Sequence, residues 1–421
     1  MRTLIRTTII PLLLLLCCSP FAILIWYTNV HLDGAITALG SQLIEQGLIT
    51  GIWNIWRPYF FGSSMAWSIL GIYAVVQIIF MRVLPGRTVS GPMTPTGHVP
   101  VYKANGVAAF VCTYGLFIAG SLCGLYSLAI LYDNFGGLLG ALNLFSLVFC
   151  LFLCLKGLYF PSTADSGSSG YPVLDYFWGT ELYPRLFGVD VKMFTNCRFG
   201  MMSWGLLVIS FAAKQHEVYG LSDSMLVSAI LQLAYVVRFF TGEAYYLRTT
   251  DIMHDRAGYY LCWGCLVWVP AVYTSPALFL VNHPNHLGLF WSAAILLGGL
   301  CVQLITLSAD KQKERVRKTD GNCLVWGKPP KLIRTKTSLL LASGWWSVSR
   351  HFHYLPEITG TFLWTVPALF THYLPYFYLT FLTILLLDRV YRQEKRCQAK
   401  YGDFWATYCK AVPQKLLPKV W

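Results

Sequence analysis

Long uninterrupted apolar segments constrain this chain more than any other feature of its sequence. A membrane-spanning helix needs about 20 predominantly apolar residues in a row. Only 12% of the 421 residues are charged, whereas soluble domains carry roughly 25%. The sequence therefore predicts an all-α polytopic membrane protein, a bundle of about ten transmembrane helices. The apolar segments lie near 7–27, 64–81, 107–132, 138–160, 200–213, 225–240, 257–281 and 288–307, with two shorter ones near 360–371 and 374–387.

Basic residues alternate between the loops that join these segments. The loop 28–56 contains no Lys or Arg, whereas 82–105 contains three and 308–336 is rich in both. Because basic loops stay in the cytoplasm, this order predicts that both termini are cytoplasmic. The net charge of +13 is then explained by these loops and by an anionic ligand, so nucleic acid is not predicted as a partner.

The first apolar segment follows Arg2 and Arg6, as the apolar core of a signal peptide would. It is nearly 20 residues long and lacks a clean small-residue cleavage site. We therefore expect a retained first membrane helix.

A cluster of ionisable residues stands directly before the 257–281 segment. Asp251, His254 and Asp255 are spaced so that they would share one face of a helix. Glu243 lies eight residues earlier, and Tyr235 precedes it. A polar, proton-carrying face at the mouth of a membrane helix is a functional-site hypothesis. The alternative is a cytoplasmic loop with ordinary solvated charges.

Two basic stretches form a second pattern. Lys313 and Arg317 are four residues apart, and a further set is spaced by three or four residues near the C-terminus: Arg389, Arg392, Arg396 and Lys400. Both stretches could anchor the chain to anionic lipid. The interleaved tryptophans and tyrosines favour a ligand with phosphates and flat rings, since Arg binds phosphate bidentately and aromatics stack on planar rings.

Other motifs carry little weight. The pair Cys262 and Cys265 lies in an apolar run without a second pair, which does not predict zinc or redox chemistry. The nine histidines lack the sets of a membrane di-iron oxidase, so no metal site is predicted. Neither a G-x-G-x-x-G after a strand nor a P-loop occurs in the sequence.

From about residue 96 to the C-terminus the chain resembles the sterol reductases of the Δ14/Δ7 type. Three motifs carry the resemblance: GTELYPR (179–185), LLLASGWWSVSRHFHYLPE (339–357) and RCQAKYGDFWATYCKAVPQKLLP (396–418). The segments ISFAAKQHE (209–217), 246–270 and THYLPYFY (371–378) are more similar to the Δ7 branch than to the Δ14 branch. The resemblance implies a single membrane-embedded domain over 1–421, with N-terminal helices in 1–95 and the catalytic and cofactor-binding part in 179–421.

The resemblance further implies reduction of the C7–C8 double bond of Δ5,7-sterols with NADPH as cofactor, or reduction of a Δ14 bond by the same chemistry. It also implies the two groups of site residues. The catalytic candidates are Tyr235, Glu243, Asp251, His254 and Asp255. The cofactor-binding candidates are Lys313, Arg317, Trp346, His353, Arg389, Arg392, Lys400 and Tyr401.

The chain departs from the family pattern at a few positions of these motifs. They are Tyr183 and His353, where Asn is usual, Arg238 and Gln393, where Asp is common, and Pro356-Glu357 in place of Gly-Asp. Those near the nucleotide site would alter its geometry or affinity, and Arg238 would alter the proton relay.

The implied partners are a sterol substrate, the lipid bilayer and other enzymes of sterol biosynthesis. The implied location is the endoplasmic reticulum membrane in a eukaryote or the inner membrane in a bacterium. Three alternatives stay open: a membrane methyltransferase of the isoprenylcysteine type, a non-enzymatic sterol-binding scaffold, and a transporter.

Overall fold

Helices make up most of this computed structural model, which describes residues 2–336 and 338–417. Three short antiparallel hairpins connect them within this part of the chain: Arg87–Ser90 with Val101–Ala104, Arg185–Leu186 with Val189–Asp190, and Leu332–Arg334 with Leu339–Leu341. The α-helices are Arg2–Leu4, Ile10–His31, Ile36–Gln46, Leu48–Trp56, Ser64–Val83, Gly106–Leu122, Ile130–Asp133, Phe135–Tyr159, Pro172–Trp178, Met202–Tyr219, Asp223–Thr241, Glu243–Tyr246, Thr250–Met253, Tyr259–Trp263, Ser275–Asn282, Gly288–Lys318, Tyr354–Thr365, Phe377–Tyr401 and Asp403–Ala411. Wider π-helical turns span Ile5–Ile9, Met193–Met201 and Gly264–Tyr273, and tighter 3-10 turns span Arg57–Tyr59, Gly344–Ser347, Val366–Ala368 and Leu374–Tyr376.

Seven helices of the described residues are long and apolar enough to cross a membrane. They are Ile5–His31, Ser64–Val83, Phe135–Tyr159, Asp223–Thr241, Tyr259–Asn282, Gly288–Lys318 and Leu374–Tyr401. The prediction of an all-α polytopic membrane protein is confirmed. The predicted number of about ten also includes apolar segments that form shorter helices, such as Gly106–Leu122 and Tyr354–Thr365.

The chain folds into two compact units. The first runs to His286 and includes Thr371–Pro375, and the second comprises Leu287–Phe370 and the chain from Tyr376 onward. Each has its own packing, and each contains one group of the predicted site residues.

The first unit is built around the Tyr259–Asn282 helix, whose apolar stretch is 83% buried, against 11% for Ser64–Val83. Its wide-turn part, Gly264–Tyr273, contains Pro270, which has no N–H for a helical hydrogen bond. This part packs against the Met193–Met201 turns. A Cβ on Gly200 would lie 2.7 Å from the carbonyl oxygen of Cys265, so the close approach of the two segments requires glycine.

The second unit is a layered arrangement of three helices. Gly288–Lys318 packs on Tyr354–Thr365, which in turn packs on Phe377–Tyr401. A small apolar core joins the last two: Tyr354, Leu386, Val390 and Leu416. The loop between the first two helices carries the predicted aromatic part of the cofactor site.

Candidate functional site

The GTELYPR motif and the acidic segment 251–258 come together in the first unit. The backbone N–H of Ala257 donates to the carbonyl of Glu181 over 3.0 Å. Gly179 has a φ of +97°, and a Cβ on it would lie 2.6 Å from the nitrogen of Gly258. Only glycine tolerates both that backbone conformation and that approach. The motif thus packs closely against the end of the acidic segment and restricts its backbone.

Lys192 holds the acidic segment from a second direction. Its side chain is fully buried, and its Nζ donates to the carbonyl oxygens of Asp251 (3.2 Å), Ile252 (2.6 Å) and Asp255 (2.8 Å). Its Nζ also lies 5.0 Å from the ring centroid of Tyr183, one of the departures from the family pattern. Burial lowers the pKa of Lys192 to about 8. A buried cation therefore fixes the backbone on which the candidate carboxylates stand.

The prediction that Asp251, His254 and Asp255 share one face of a helix is wrong. The helix spans only Thr250–Met253. Beyond it, Asp255 is buried, Asp251 is half-buried and His254 is exposed. The physical reason is that Lys192 takes carbonyl groups that a continuing helix would offer to later N–H groups. The three side chains therefore occupy environments of graded exposure, from the protein interior to solvent.

Glu243 lies in a buried network at the ends of two helices. It pairs with Arg198, and both side chains are almost completely buried. Its second oxygen accepts from the N–H of Gly106 over 2.8 Å, at the start of the Gly106–Leu122 helix. Arg198 also donates to Asn105 over 2.8 Å, and Asn105 donates to three carbonyls near the end of Ser64–Val83. Glu243 thus joins two helix termini.

Tyr235 belongs to the Asp223–Thr241 helix and makes aromatic contacts. Its ring centroid is 5.2 Å from that of Trp204, and the guanidinium of Arg238 lies 4.8 Å from it. Arg238 therefore brings a positive charge to the face of the candidate proton donor.

The first unit also contains an apolar cavity of about 460 Å³. Its walls come from several membrane helices and are almost entirely hydrocarbon, including Tyr73, Phe117, Phe135, Phe199 and Pro270. Cavities of this kind and size accommodate drug-sized apolar ligands. The cavity could therefore hold an apolar ligand.

Lys313, Trp346 and His353 form the centre of the second unit's candidate site. Lys313 Nζ lies 3.8 Å from the ring centroid of Trp346, and Trp346 is fixed by its indole N–H, which donates to the carbonyl of Ala309 over 3.0 Å. The His353 ring is 5.3 Å from that of Trp346. Among the described residues, the buried Nδ1 of His353 has no hydrogen-bond partner. A cation, an aromatic face and an unsatisfied ring nitrogen are groups that fit a dinucleotide with phosphates.

Arg350 and Glu394 secure the loop that carries His353. Arg350 binds Glu394 bidentately at 2.9 and 3.0 Å and donates to the carbonyls of Val412 and Pro413 at 2.6 and 2.8 Å. The ring of His351 lies 2.9 Å from the same carboxylate. These contacts hold the SVSRHFHY segment against the C-terminal helices.

The remaining cofactor candidates are more accessible. Arg317 and Lys400 are exposed, whereas Arg389 and Arg392 are half-buried. Arg392 pairs with Asp388 at 2.7 Å, and Tyr401 stacks on Trp405 with centroids 6.4 Å apart. Exposed basic groups can bind phosphates that approach from water. The closing motif ends at Pro418, which lies outside the described residues.

We predict that His353 makes the protein sensitive to acid. Burial, helped by the charges of Lys313, His351 and Arg389, lowers the pKa of His353 well below its usual range. Below pH 6.5 the unfolded chain then binds one proton more than the folded chain, so stability present above pH 6.5 is lost as the pH falls. This amounts to at most about 1.4 kcal/mol per pH unit.

The matched variant is His353→Asn, which removes the titrating ring but keeps a polar side chain. Thermal unfolding at pH 7 and pH 5 should show a smaller acid-induced loss in the variant than in the wild type. Equal losses in the two proteins would contradict the assignment.

Four further residues position these sites, and the motifs of the sequence do not indicate their role: Lys192, Arg198, Arg350 and Glu394. All are charged groups with long-range partners. Lys192 stood between Val191 and Met193, and a lone lysine among apolar residues is the signal that could have identified it. Arg350 belongs to the motif 339–357, whose pattern does not indicate its role.

Comparison with known proteins relates the whole chain to one family. The model of the ergosterol biosynthesis ERG4/ERG24 family matches residues 16–421, so the similarity begins well before residue 96. The chain is 49% identical over 420 residues to a 7-dehydrocholesterol reductase of Arabidopsis thaliana, covering 97% of this chain and 96% of that protein. It is 38% identical over 374 residues to a Delta(14)-sterol reductase of Methylotuvimicrobium alcaliphilum, covering 87% and 86%. A 7-dehydrocholesterol reductase of Xenopus laevis is 35% identical over 426 residues, with coverage of 94% and 89%.

Proposed function

Because the chain belongs to the ergosterol biosynthesis ERG4/ERG24 family of sterol reductases, we propose that it reduces the C7–C8 double bond of Δ5,7-sterols with NADPH. The observation that carries this choice is the nearly full-length identity to a 7-dehydrocholesterol reductase, which exceeds that to a Delta(14)-sterol reductase. Reduction of a Δ14 bond is the second candidate, supported by the latter similarity.

The chemistry requires an acid. A sterol double bond is a poor hydride acceptor until one carbon is protonated, so the protein must place a proton donor against it. NADPH, when bound, supplies the hydride. We assign the proton to a relay of Tyr235 with Asp251, His254 and Asp255. His254 at the exposed end can take protons from water, and the buried end can deliver them.

Carboxylates in the relay have a second task. Protonation of the double bond creates positive charge in the sterol, and fixed negative groups in a water-poor site stabilise that charge strongly. Lys192 contributes by positioning, because its bonds to three carbonyls hold the Asp251–Asp255 backbone in one conformation. The apolar cavity of the first unit supports the proposal of a hydrocarbon substrate taken from the bilayer.

The cofactor phosphates are assigned to the basic groups of the second unit. Lys313, held over Trp346, and Arg317, one helical turn further, would bind phosphate, and Trp346 and His353 would bind a ring. Arg389, Arg392, Lys400 and Tyr401 complete the proposed set. The positions of these residues on the basic ends of membrane helices support binding from the cytoplasmic side.

We expect the Lys313→Ala and Arg317→Ala variants to raise the KM for NADPH roughly 10-fold to 100-fold each, because a charge-assisted hydrogen bond contributes about 1.5–3 kcal/mol. Turnover at saturating NADPH should change little. The control is Lys318→Ala on the same helix, whose lysine pairs with Glu314 at 2.6 Å. An unchanged KM in both test variants would remove these residues from the cofactor site.

Product analysis tests the choice of double bond. Purified protein is incubated with NADPH and either 7-dehydrocholesterol or a Δ8,14-sterol, and the products are identified by gas chromatography and mass spectrometry. We expect loss of the C7–C8 double bond from the first substrate. Reduction of the second substrate alone would favour the Δ14 candidate, and reduction of neither would support a sterol-binding scaffold. The proposed location is the endoplasmic reticulum membrane in a eukaryotic cell or the inner membrane in a bacterium.

A further inference from the structure

A basic cavity opens on the Gly288–Lys318 helix, outside the proposed cofactor set. Its volume is about 430 Å³. Leu304 and Leu307 line one end, Lys311 and Arg315 line the other, and Trp326 forms part of its wall. These positions recur every three or four residues, which places them along one side of the helix.

This side differs from the one that carries Lys313. Two residues correspond to about 200° around a helix, and Lys313 lies over Trp346, which is absent from the cavity wall. The helix therefore presents two basic faces. One belongs to the proposed cofactor site and the other, formed by Lys311 and Arg315, has no assigned ligand.

The two cations of the cavity are available to a ligand. Within residues 2–336 and 338–417, neither Lys311 nor Arg315 forms an ion pair or donates a side-chain hydrogen bond. Their neighbour Lys318, in contrast, is neutralised by Glu314. Two adjacent positive charges that face one cavity repel each other and favour an anion between them.

The wall of the cavity is held in place by hydrogen bonds. Trp345 donates its indole N–H to Ser308 over 3.1 Å and its backbone N–H to Gln312 over 3.0 Å. Trp326 packs edge-on against Trp345 with ring centroids 5.1 Å apart. Ser308 and Gln312 themselves line the cavity. The shape of the cavity thus depends on side chains that are held by hydrogen bonds and ring contacts.

The polarity of the cavity follows the axis of the helix. Leu304 and Leu307 belong to the apolar membrane-spanning part, and Lys311 and Arg315 follow where the charged part begins. From Leu304 to Arg315 the helix rises roughly 16 Å. Tryptophan at this level is typical of the membrane–water interface, and Trp326 is 60% exposed.

We propose that this cavity binds an anionic phospholipid of the cytoplasmic leaflet. Lys311 and Arg315 bind the headgroup phosphate, Trp326 packs beside the glycerol, and the acyl chains run along Leu304 and Leu307. The lipid is chosen over a soluble phosphate because the apolar end of the cavity belongs to the membrane-spanning part of the helix, where acyl chains are found. In addition, the basic loops of the chain are those predicted to lie on the cytoplasmic side, where anionic lipids are found.

The test is a titration of the full chain in neutral detergent with short-chain phosphatidylglycerol, followed by thermophoresis. The Lys311→Ala, Arg315→Ala double variant should weaken binding roughly 25-fold, or about fivefold for each charge removed near an anionic lipid. The control removes two exposed charges outside the cavity, Lys318→Ala with Lys328→Ala, and should change binding less than about twofold. Both pairs of positions are exposed, so both variants should fold.

Any of three other outcomes would overturn the proposal. Equal weakening in the two double variants would indicate diffuse attraction between net charges. Displacement of phosphatidylglycerol by an equal concentration of inorganic phosphate would show that the cavity takes phosphate without the lipid chains. Weakened NADPH binding with unchanged phosphatidylglycerol binding in the Lys311→Ala, Arg315→Ala variant would assign the cavity to the nucleotide.

Discussion

Turnover of 7-dehydrocholesterol is expected to fall roughly 100-fold or more when a member of the proton relay is removed, because a positioned general acid contributes about 10²–10⁴-fold. The variants are Asp251→Asn, His254→Ala and Tyr235→Phe. Asn keeps the shape of Asp but carries no transferable proton, and Phe keeps the ring of Tyr. The fold should therefore survive while the proton transfer is lost.

The loss should appear in kcat at saturating sterol and NADPH. The KM for NADPH should be unchanged, since the relay residues belong to the first unit and the proposed NADPH-binding residues belong to the second. Asp133→Asn is the matched control, because Asp133 is an exposed carboxylate paired with Lys214 at 2.7 Å. Unchanged turnover in both Asp251→Asn and His254→Ala would remove the relay assignment.

Replacing Arg198 by methionine is expected to destabilise the protein by about 3–5 kcal/mol, since Glu243 would be left as a buried charge without its partner. The two side chains are only 1% and 3% exposed. The free energy of unfolding in mixed micelles measures the effect. The exposed pair of Lys214 and Asp133 serves as the comparison. Lys214→Met breaks this pair and should lower the free energy of unfolding by about 1 kcal/mol or less.

A double variant separates the structural role of Glu243 from a catalytic one. Arg198→Met combined with Glu243→Met removes both charges and should recover part of the lost stability. Turnover per folded molecule then reports whether Glu243 carries a proton, as sequence analysis proposed. A single variant, Arg198→Met, that is as stable as the wild type would contradict the importance of the buried pair.

The membrane architecture could be predicted from sequence because it depends on local properties. Runs such as 138–160 are long enough to span a bilayer by themselves, and a helix in lipid satisfies its own backbone hydrogen bonds. Seven of the predicted segments form helices long enough to span a membrane, and other apolar runs form shorter elements. The 107–132 run ends as a helix at Leu122, well before its apolar composition does.

The shape of the acidic segment could not be predicted because its cause is distant in sequence. The spacing of Asp251, His254 and Asp255 is compatible with a helix, but Lys192, about 60 residues earlier, binds the carbonyl groups that would have continued it. The same holds for Arg350, whose partners Glu394 and Val412 lie 44 and 62 residues later. The sequence motifs identify the candidate residues, whereas buried charged groups that are distant in sequence determine the path of the backbone around them.

We propose that this sterol reductase adds a hydride from NADPH and a proton from water, through the protein, across the C7–C8 bond. The most direct measurement is mass spectrometry of the sterol formed from 7-dehydrocholesterol, once with NADPH deuterated at its hydride position in ordinary water and once with ordinary NADPH in heavy water. We expect a product saturated at C7–C8 that gains one deuterium in each experiment. Recovery of unreduced sterol, or a reduced product that takes no deuterium from the cofactor, would contradict the account.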